Sequence, residues 1–368
     1  MTTPTPKPGL LEIKPYTPGK ATTTAHRIIK LSSNESALGA SPKATAAYAD
    51  AAAKIARYPD GTSADLRVAI GEIHDLDPAR LIVGAGSDDI INLVIRAYAA
   101  EGDHILQTDY GFSYYALAAQ AACVDTKFVP ETNFTADVDA ILDAVEERTR
   151  IVFLANPNNP TGTMLGRDEL VRLRAGLRDD IILILDGAYA EYVEDDDYTD
   201  GRDLVDQSID KGTDNVIMMR TFSKIYGLGG LRVGWAYAPD RLIDILHRLR
   251  SPFNVNGPAL KAAEAAIRDQ AFVARNRAHN REERARVAGS LSQLGFDVIN
   301  GYGNFLLFGP RAGHGDDAQQ LLSFMEAEGI LIRSTASSHL PDHLRVSIGS
   351  TDENSAFLEA LHRYAEQA

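Results

Sequence analysis

Lys224 and Arg232 are the two cations of an otherwise apolar, glycine-rich stretch, TFSKIYGLGGLRVGW (221–235). A charge in an apolar segment needs a partner, because burying an unpaired charge costs much free energy. The neutral amine of a lysine forms a Schiff base with an aldehyde once desolvation or nearby positive charge lowers its pKa. The planar guanidinium of an arginine suits the oxygens of a phosphate. The pair therefore indicates a lysine nucleophile beside a bound phosphate, whereas the structural alternative is a lysine in a surface turn and an arginine extending from a strand.

Three further polar residues follow apolar strands. Asp186 ends IILILD (181–186), where a carboxylate is rarely placed without a partner, and Tyr189 comes three residues later. Asn159 lies in NPNNPTG (156–162), after another strand. A buried carboxylate here would hold a protonated ring nitrogen, while Asn159 and Tyr189 would hydrogen-bond an oxygen of the same ring. A structural alternative stays open, in which Asp186 caps the next segment and NPNNPTG is only a turn.

The segment GAGSDD (84–89) directly follows a strand and begins a helix. The free N–H groups of a first helical turn and the positive end of the helix dipole bind phosphate, and small residues let the backbone come close. The dinucleotide pattern G-x-G-x-x-G fails, because Asp89 stands at the third glycine. The alternative is an ordinary strand-to-helix turn with Ser87 or Asp88 as the N-cap.

Short apolar strands alternate with helical patterns through the middle of the chain. The predicted strands are RLIVGAG (80–86), HILQTD (104–109), VDTKFVP (124–130), RIVFLANP (150–157), IILILD (181–186), NVIMMR (215–220) and RVGWAYA (232–238). The alternation predicts an α/β fold whose large domain has a mostly parallel sheet flanked by helices. Ligands gather at the carboxyl ends of such strands, and the candidate residues above all lie at those ends.

We expect three parts of the chain. Residues 1–44 form an extended N-terminal arm that contributes to the small domain, residues 45–255 form the large domain, and residues 256–368 form a smaller α+β domain. A helix is expected at about 135–147. The acidic segment VEDDDYTDGRD (193–203) is interpreted as a solvated loop, because Tyr198 occupies a ligand position of the calcium-loop pattern.

Composition excludes several classes of protein. The net charge is −14 over 368 residues, which argues against a general nucleic-acid or acidic-membrane surface but allows a small anionic ligand. Cys123 is the only cysteine, so intramolecular disulfides and thiolate metal clusters are excluded, and no metal is expected. No apolar run approaches the ~20 residues of a membrane span, and no secretory leader is recognised. The expected location is the cytoplasm.

Eight motifs spread over nearly the whole chain carry a family resemblance. They are KPYTPGK (14–20), LSSNES (31–36), RYPDG (57–61), GAGSDDI (84–90), NPNNPTG (156–162), LDGAY (185–189), TFSKIYGLGGLRVGW (221–235) and LRVSIGS (344–350). With them the sequence resembles the fold-type I pyridoxal-phosphate aminotransferases and, within these, the histidinol-phosphate aminotransferase family. The resemblance implies pyridoxal 5′-phosphate as cofactor, a ping-pong transamination, and a homodimer with shared active sites.

The resemblance also implies a role for each matching residue. Lys224 forms the Schiff base and shuttles the proton, and Asp186 pairs with the pyridine nitrogen. Tyr189 and Asn159 hold the phenolic oxygen. The other cofactor-binding residues are Gly86, Ser87, Asp88, Ser223 and Arg232 around the phosphate, Tyr110 stacked on the ring, and Tyr58 from the neighbouring subunit. The substrate-side residues are Tyr16, Asn34, Arg333 and Arg345, of which Arg345 grips the substrate carboxylate or its equivalent.

The implied substrates are a small-molecule amino donor and a 2-oxo acid, with histidinol phosphate and 2-oxoglutarate favoured. The family pattern changes at three places: TDY (108–110) replaces a Pro-Thr step before the stacking aromatic, Gly187 replaces an acidic residue, and NESA (34–37) replaces NENP. An aromatic amino-acid aminotransferase and a phospho-amino-acid decarboxylase on the same scaffold stay open. Alternatives of another class are a nicotinamide-binding oxidoreductase built on GAGSDD and a non-enzymatic binding module.

Overall fold

A computed structural model describes residues 6–7, 9–13, 28–311 and 317–367. The strands are β1 (Ile29–Lys30), β2 (Leu81–Gly84), β3 (His104–Thr108), β4 (Asp125–Val129), β5 (Glu131–Thr132), β6 (Thr135–Ala136), β7 (Thr149–Ala155), β8 (Ile182–Asp186), β9 (Val216–Thr221), β10 (Gly234–Tyr237), β11 (Phe296–Ile299), β12 (Phe305–Arg311), β13 (Ile330–Leu331), β14 (Arg333–Thr335) and β15 (Leu340–Ser347). The α-helices are α1 (Pro42–Ala52), α2 (Ala64–His74), α3 (Ser87–Tyr98), α4 (Tyr114–Ala121), α5 (Val138–Asp143), α6 (Arg167–Gly176), α7 (Arg202–Asp210), α8 (Asp240–Leu249), α9 (Gly257–Arg268), α10 (Gln270–Gln293), α11 (Ala318–Ala327) and α12 (Thr351–Gln367). None of the helices in these ranges is long and apolar enough to cross a bilayer.

The larger domain is built on a sheet with the strand order β2-β10-β9-β8-β7-β3-β4. Strand β10 is antiparallel to both of its neighbours, and the other pairs are parallel. Strand β2 therefore runs in the same direction as β9, β8, β7 and β3, and these five strands end at one edge. The predicted α/β fold with a mostly parallel sheet is confirmed.

Helices cover both faces of this sheet, and the residues of each strand alternate between two apolar cores. In β8, Leu183 and Leu185 face one core, whereas Ile182 and Ile184 face the other. Helices α2, α6, α7 and α9 cover the first core, and α3, α4 and α8 cover the second. Burial on both faces explains why these strands are continuous apolar runs.

The helix expected at about 135–147 is shorter in the structure. Strands β5 and β6 form a small hairpin, and Asn133 and Phe134 at its turn have left-handed φ values of 51° and 61°. The six-residue helix α5 begins after Asp137, whose carboxylate caps the N–H of Ala140. The hairpin takes up residues 135 and 136 of the predicted helix, and α5 ends at Asp143, four residues before the predicted end.

The smaller domain has an antiparallel sheet with the order β11-β12-β15-β14, packed on α10, α11 and α12. Strand β1 of the N-terminal segment pairs with β13, and Ile29 and Leu31 enter the core of this domain. Helix α9 instead packs against α1 and α2, with Ala259 and Ala263 in the first core of the larger domain. Helix α9 therefore packs with the larger domain, and the boundary at 255/256 stays a prediction.

The interpretation of residues 193–203 as a solvated loop is wrong for part of the segment, since Gly201 is buried and the Tyr198 hydroxyl donates to the carbonyl of Asn156 at 3.0 Å. Asp200 forms an ion pair with Arg220 of β9, whose side chain is buried. Arg220 also donates to the buried Glu191 at 2.9 Å and lies 5.9 Å from the centroid of the Trp235 ring. A buried guanidinium needs compensating charge, and the loop supplies half of it.

Candidate active site

Five parallel strands deliver the candidate residues to one edge of the sheet. Gly86 follows β2, Tyr110 follows β3, and Asn159 follows β7. Asp186 is the last residue of β8, and Lys224 follows β9. Beside this edge lies a cavity of about 300 Å³. Its wall contains the predicted residues Asn34, Asn159, Lys224, Arg232, Arg333 and Arg345.

The amine of Lys224 is available in this cavity. Its one described hydrogen bond is weak, from Nζ to the carbonyl of Ser33 at 3.4 Å, and Nζ lies 5.7 Å from the centroid of the Tyr189 ring. The turn after Lys224 requires Gly227, which has a φ of 70° and whose Cβ would lie 2.1 Å from the carbonyl oxygen of Gly39. The glycine therefore holds the lysine-bearing turn against the segment that leads into α1.

Asp186 is buried at the same edge of the sheet, at the end of β8. It is 5% exposed, and its carboxylate accepts hydrogen bonds from the Tyr115 hydroxyl at 2.7 Å and from the N–H of Ala188 at 3.1 Å. Burial raises the pKa of Asp186 to about 6, against the effects of these hydrogen bonds and of Lys224. A carboxylate in this position favours a cationic partner. Sequence reasoning missed Tyr115, although a tyrosine on the buried face of an apolar helix needs a hydrogen-bond partner.

A cradle for a phosphate lies at the start of α3. The N-cap is Gly86, whereas the alternative interpretation of this turn placed Ser87 or Asp88 there, and no side chain caps the first turn. A Cβ on Gly86 would lie 2.6 Å from Nη2 of Arg232, and one on Gly234 would lie 2.3 Å from the backbone nitrogen of Ser87. The two glycines therefore keep open the space in front of the free N–H groups of the helix.

Arg232 is held at this cradle by its neighbours. Its φ is 55°, in the left-handed region, and its guanidinium donates to Asp88 Oδ1 at 2.7 Å and to Ser223 Oγ at 3.3 Å. The hydroxyl of Thr221 donates to Ser223 Oγ at 3.0 Å. An arginine, a hydroxyl and an uncapped helix N-terminus thus converge on one place, as the binding of a phosphate requires.

The residues of the site fit pyridoxal phosphate. Asp186 suits the protonated ring nitrogen, the amine of Lys224 suits the aldehyde, and the cradle of Gly86, Arg232 and Ser223 suits the phosphate. The strongest observation for this fit is the absence of a side-chain cap at α3, since it leaves N–H donors that the described chain does not satisfy.

Two hydrogen-bonded pairs lie beside the cavity, Arg345 with Asn159 and Tyr189 with Asn34. Arg345 is 9% exposed and donates to Asn159 Oδ1 at 2.5 Å and to the carbonyl of Ser32 at 2.7 Å. The hydroxyl of the buried Tyr189 accepts a hydrogen bond from Asn34 Nδ2 at 2.8 Å. The polar groups predicted to hold one ring oxygen and one substrate anion therefore lie next to each other.

Arg333 lies opposite Arg345 in the register of β14 and β15. In the described part of the chain no ion pair or hydrogen bond of Arg333 is found, although its side chain is half-buried and faces the cavity. The described wall of the cavity has three arginines and a lysine but no acidic residue. A chain with a net charge of −14 therefore contains a distinctly cationic pocket.

Some predicted residues are not among the described residues that line the cavity around Lys224. Tyr110 stands at the same sheet edge, where its N–H donates to Glu131 at 3.1 Å, and burial raises the pKa of that carboxyl to about 7. Tyr58 is 84% exposed and stacks on Phe253 at 4.7 Å beside a separate cavity of about 920 Å³. Tyr16 lies outside the described residues. Cavity residues that sequence reasoning missed are Ser32, Ser33, Phe112, Ser113, Pro160, Ser334, Thr335, Ser337 and Ser338.

Comparison with known proteins gives a consistent result. Residues 26–361 match the family model described as aminotransferase class I and II. The histidinol-phosphate aminotransferase of Rhodospirillum rubrum is 50% identical over 364 residues, covering 97% of this chain and 96% of that protein. The protein of the same name from Paramagnetospirillum magneticum is 46% identical over 365 residues, covering 99% of both. The crystal structure of histidinol-phosphate aminotransferase from Sinorhizobium meliloti in complex with pyridoxal-5′-phosphate is similar with a TM-score of 0.86 and 26% identity, covering 93% of this chain and 92% of that chain.

Proposed function

We propose a function from the premise that the chain belongs to the class I and II aminotransferase family, whose model it matches over residues 26–361. Its cofactor is pyridoxal 5′-phosphate. The function best supported is that of a histidinol-phosphate aminotransferase, which moves the amino group of histidinol phosphate to a 2-oxo acid. The structural observation that carries this choice is the pair Arg333 and Arg345, side by side in the cavity that contains Lys224.

The residues of the site divide the binding of the cofactor among them. Gly86, Ser87, Ser223 and Arg232 hold its phosphate, with Asp88 fixing the guanidinium of Arg232. Asp186 holds the ring nitrogen, Asn159 and Tyr189 hold the ring oxygen, and Tyr110 covers the ring. These assignments are supported by their common position at the sheet edge and by the cradle at α3.

The chemistry needs a proton carrier and a fixed substrate. When bound, pyridoxal phosphate supplies an aldehyde that takes up the amino group and a ring that withdraws electrons from the reacting carbon. Lys224 Nζ moves the proton of that carbon, since its one described hydrogen bond, to Ser33, is weak. Asp186 keeps the ring nitrogen protonated, because a buried carboxylate is stabilised by a cation. Arg345 fixes the substrate anion with a planar fork of donors.

The charge of the cavity favours a substrate with a phosphate or a second carboxylate. Histidinol phosphate carries a phosphate dianion where an amino acid carries one carboxylate, and 2-oxoglutarate carries two carboxylates. Either molecule provides enough negative charge for both Arg333 and Arg345. Phenylalanine has a single carboxylate and would leave one half-buried guanidinium unpaired, which costs free energy. The arginine pair therefore supports histidinol phosphate over an aromatic amino acid, and the cytoplasmic location stays a prediction from the sequence.

Relative activity tests this proposal. The holoenzyme is assayed with histidinol phosphate and with phenylalanine, each with 2-oxoglutarate, and kcat/KM is compared. We expect histidinol phosphate to be preferred by a large factor. A preference for phenylalanine would replace the proposal with the aromatic aminotransferase, and release of carbon dioxide from a phospho-amino acid would replace it with the decarboxylase.

We further propose a homodimer in which Tyr58 acts on the neighbouring subunit. Large apolar side chains are exposed around the cavity beside Tyr58: Ile55 is 74% exposed, Phe253 44% and Tyr48 41%. An exposed apolar patch of this kind is typical of a protein interface, and a second copy of the chain would cover it. Tyr58 is not among the described residues that line the cavity around Lys224 in its own chain, as expected if it contributes to the active site of the partner subunit.

Subunit mixing tests the shared site. Inactive Tyr58→Ala and Lys224→Ala chains are unfolded, mixed and refolded together, and transaminase activity is measured. Hybrid dimers contain one site with both residues intact, so part of the activity is expected to return. No return of activity, with dimers confirmed by light scattering, would place the whole site within one chain.

A further inference from the structure

Asn34 occupies a junction between the two domains. It is 1% exposed and has a left-handed φ of 53°. Its backbone N–H donates to Ser347 Oγ at 2.8 Å, its Oδ1 lies 3.0 Å from the same hydroxyl, and its Nδ2 lies 2.8 Å from the hydroxyl of Tyr189. A single amide thus links strand β15 to a residue of the proposed cofactor site.

The direction of each hydrogen bond in this chain follows from the chemistry of the groups. A backbone N–H can only donate, so Ser347 Oγ accepts from it and keeps its own proton for Asn34 Oδ1. The carbonyl oxygen of Asn34 therefore faces Ser347, and the NH₂ group faces Tyr189. In the opposite orientation the proton of Ser347 would have no acceptor among the described residues, which is unfavourable at 3% exposure.

This orientation fixes the role of the Tyr189 hydroxyl. An NH₂ group can only donate, so Tyr189 Oη accepts from Asn34, and its own proton must go elsewhere. No acceptor for that proton is found among the described residues. Tyr189 is 3% exposed, and its ring packs edge-on against Phe305 with centroids 5.1 Å apart, so the hydroxyl cannot move to solvent.

We infer that Asn34 is a positioning residue, which makes Tyr189 donate its proton to the ring oxygen of the bound cofactor, and that it does not act by gripping substrate. This inference rests on the proposed function, because it needs the cofactor as the acceptor. Ser347 sets the orientation of Asn34 from β15, two residues from Arg345. The strand that carries the substrate arginine therefore also controls the donor to the cofactor.

The absorption of the bound cofactor tests the inference without any substrate. A donor to the ring oxygen stabilises its negative charge, so losing the donor makes the chromophore keep its proton to higher pH. The carboxylate of Asn34→Asp can only accept and would take the proton of Tyr189. We expect the pH midpoint of the visible band to rise by about one to two units, the range for loss of one charge-assisted hydrogen bond.

A double-mutant cycle separates this effect from the new negative charge. Tyr189→Phe is expected to raise the midpoint as well, and adding Asn34→Asp to it should then change the midpoint little, because Asn34 acts through Tyr189. Fully additive shifts would show that the charge acts alone and would overturn the inference. An unchanged midpoint in Asn34→Asp with a raised KM for the amino donor would also overturn it, in favour of direct substrate binding.

Two further variants complete the test. Asn215→Asp is the control for the added charge, since Asn215 precedes β9 at the opposite edge of the sheet, where its Nδ2 donates to the carbonyl of Asp179 at 2.8 Å, and its midpoint should equal that of the wild type. Ser347→Ala allows the side-chain amide of Asn34 to adopt either orientation and should raise the midpoint by less than Asn34→Asp does. This variant replaces Asn34→Asp in the test if Asn34→Asp does not fold. An unchanged midpoint in Ser347→Ala would refute the role of Ser347 in orienting the amide. The pH midpoint is measured without an amino donor, so it tests the role of Asn34 even if histidinol phosphate is not the substrate. A failure of this inference can therefore be told apart from a failure of the substrate assignment.

Discussion

Replacing Arg333 with glutamine removes from the cavity wall a guanidinium for which the described residues provide no partner. The glutamine side chain is shorter and offers an amide donor, but it carries no charge. In the proposed complex the lost interaction is a charge-assisted hydrogen bond to a phosphate, worth about 1.5–3 kcal/mol. Since each 1.4 kcal/mol is a factor of ten, kcat/KM for histidinol phosphate should fall by about 10- to 100-fold.

The discriminating measurement is the ratio of two substrates. Phenylalanine carries a single negative charge where histidinol phosphate carries a phosphate dianion, so its kcat/KM should change by less than about threefold, and the preference for histidinol phosphate should fall by at least about tenfold. Arg248→Gln is the control, because Arg248 pairs with Asp244 on the surface of α8 and its side chain is 70% exposed. Equal losses on both substrates would refute the reasoning, since Arg333 would then support the site as a whole and would not serve the second charge of the phosphate.

Three other changes test the site and its support. Burial raises the pKa of Asp186 from 3.8 to about 6, so the stability that its neutral form gives the apo-protein is complete below pH 4 and is lost as the pH rises through 6. The free energy of unfolding of Asp186→Asn in urea, relative to that of the wild type, should therefore increase by about 3 kcal/mol between pH 4 and 7. A difference that does not change with pH would contradict the raised pKa. Gly234→Ala should weaken the binding of pyridoxal phosphate to the apo-protein at least about tenfold, because its Cβ would lie 2.3 Å from the nitrogen of Ser87. Gly230→Ala is the control, since the space around its Cβ is open, and its affinity for pyridoxal phosphate should equal that of the wild type. Equal affinities of the two variants would argue against the cradle. Arg220→Leu should destabilise the protein by about 3–5 kcal/mol by leaving the buried Glu191 unpaired, and a loss below about 1 kcal/mol in the same unfolding assay would show that the buried pair is not needed.

The sequence predicts the strand ends well for a physical reason. A strand buried on both faces is mostly apolar, so polar residues at its end are conspicuous, as with Asp186 at the end of β8 and Lys224 three residues after β9. The parallel arrangement then brings all such residues to one edge. The positions of these residues can therefore be predicted from the local sequence and from the rule that parallel strands end at one edge of the sheet.

The partners of these residues are much harder to predict. Tyr115 lies 71 positions from Asp186, and Ser347 lies 313 positions from Asn34. Neither segment has a motif that names its partner, and a hydroxyl is compatible with a surface role as well. The partner of Asp200 is equally hard to predict, because its acidic loop has the composition of a solvated loop and Arg220, with which it pairs, is buried in β9. Long-range polar pairing is decided by the assembled core, which single-sequence periodicity does not describe.

Three features of the described site are unfavourable for the protein without its ligands. Asp186 is a buried carboxylate with a raised pKa, α3 has no side-chain cap, and Arg333 has no described partner. Each feature corresponds to one part of the proposed complex, namely the ring nitrogen, the cofactor phosphate and the substrate anion. Strain of this kind is expected where binding supplies the missing partner, since the same groups satisfied internally would leave nothing to attract the ligand. Cofactor binding should therefore stabilise the fold beyond the gain from new contacts alone, because it also removes the cost of the buried carboxylate and of the unsatisfied N–H groups.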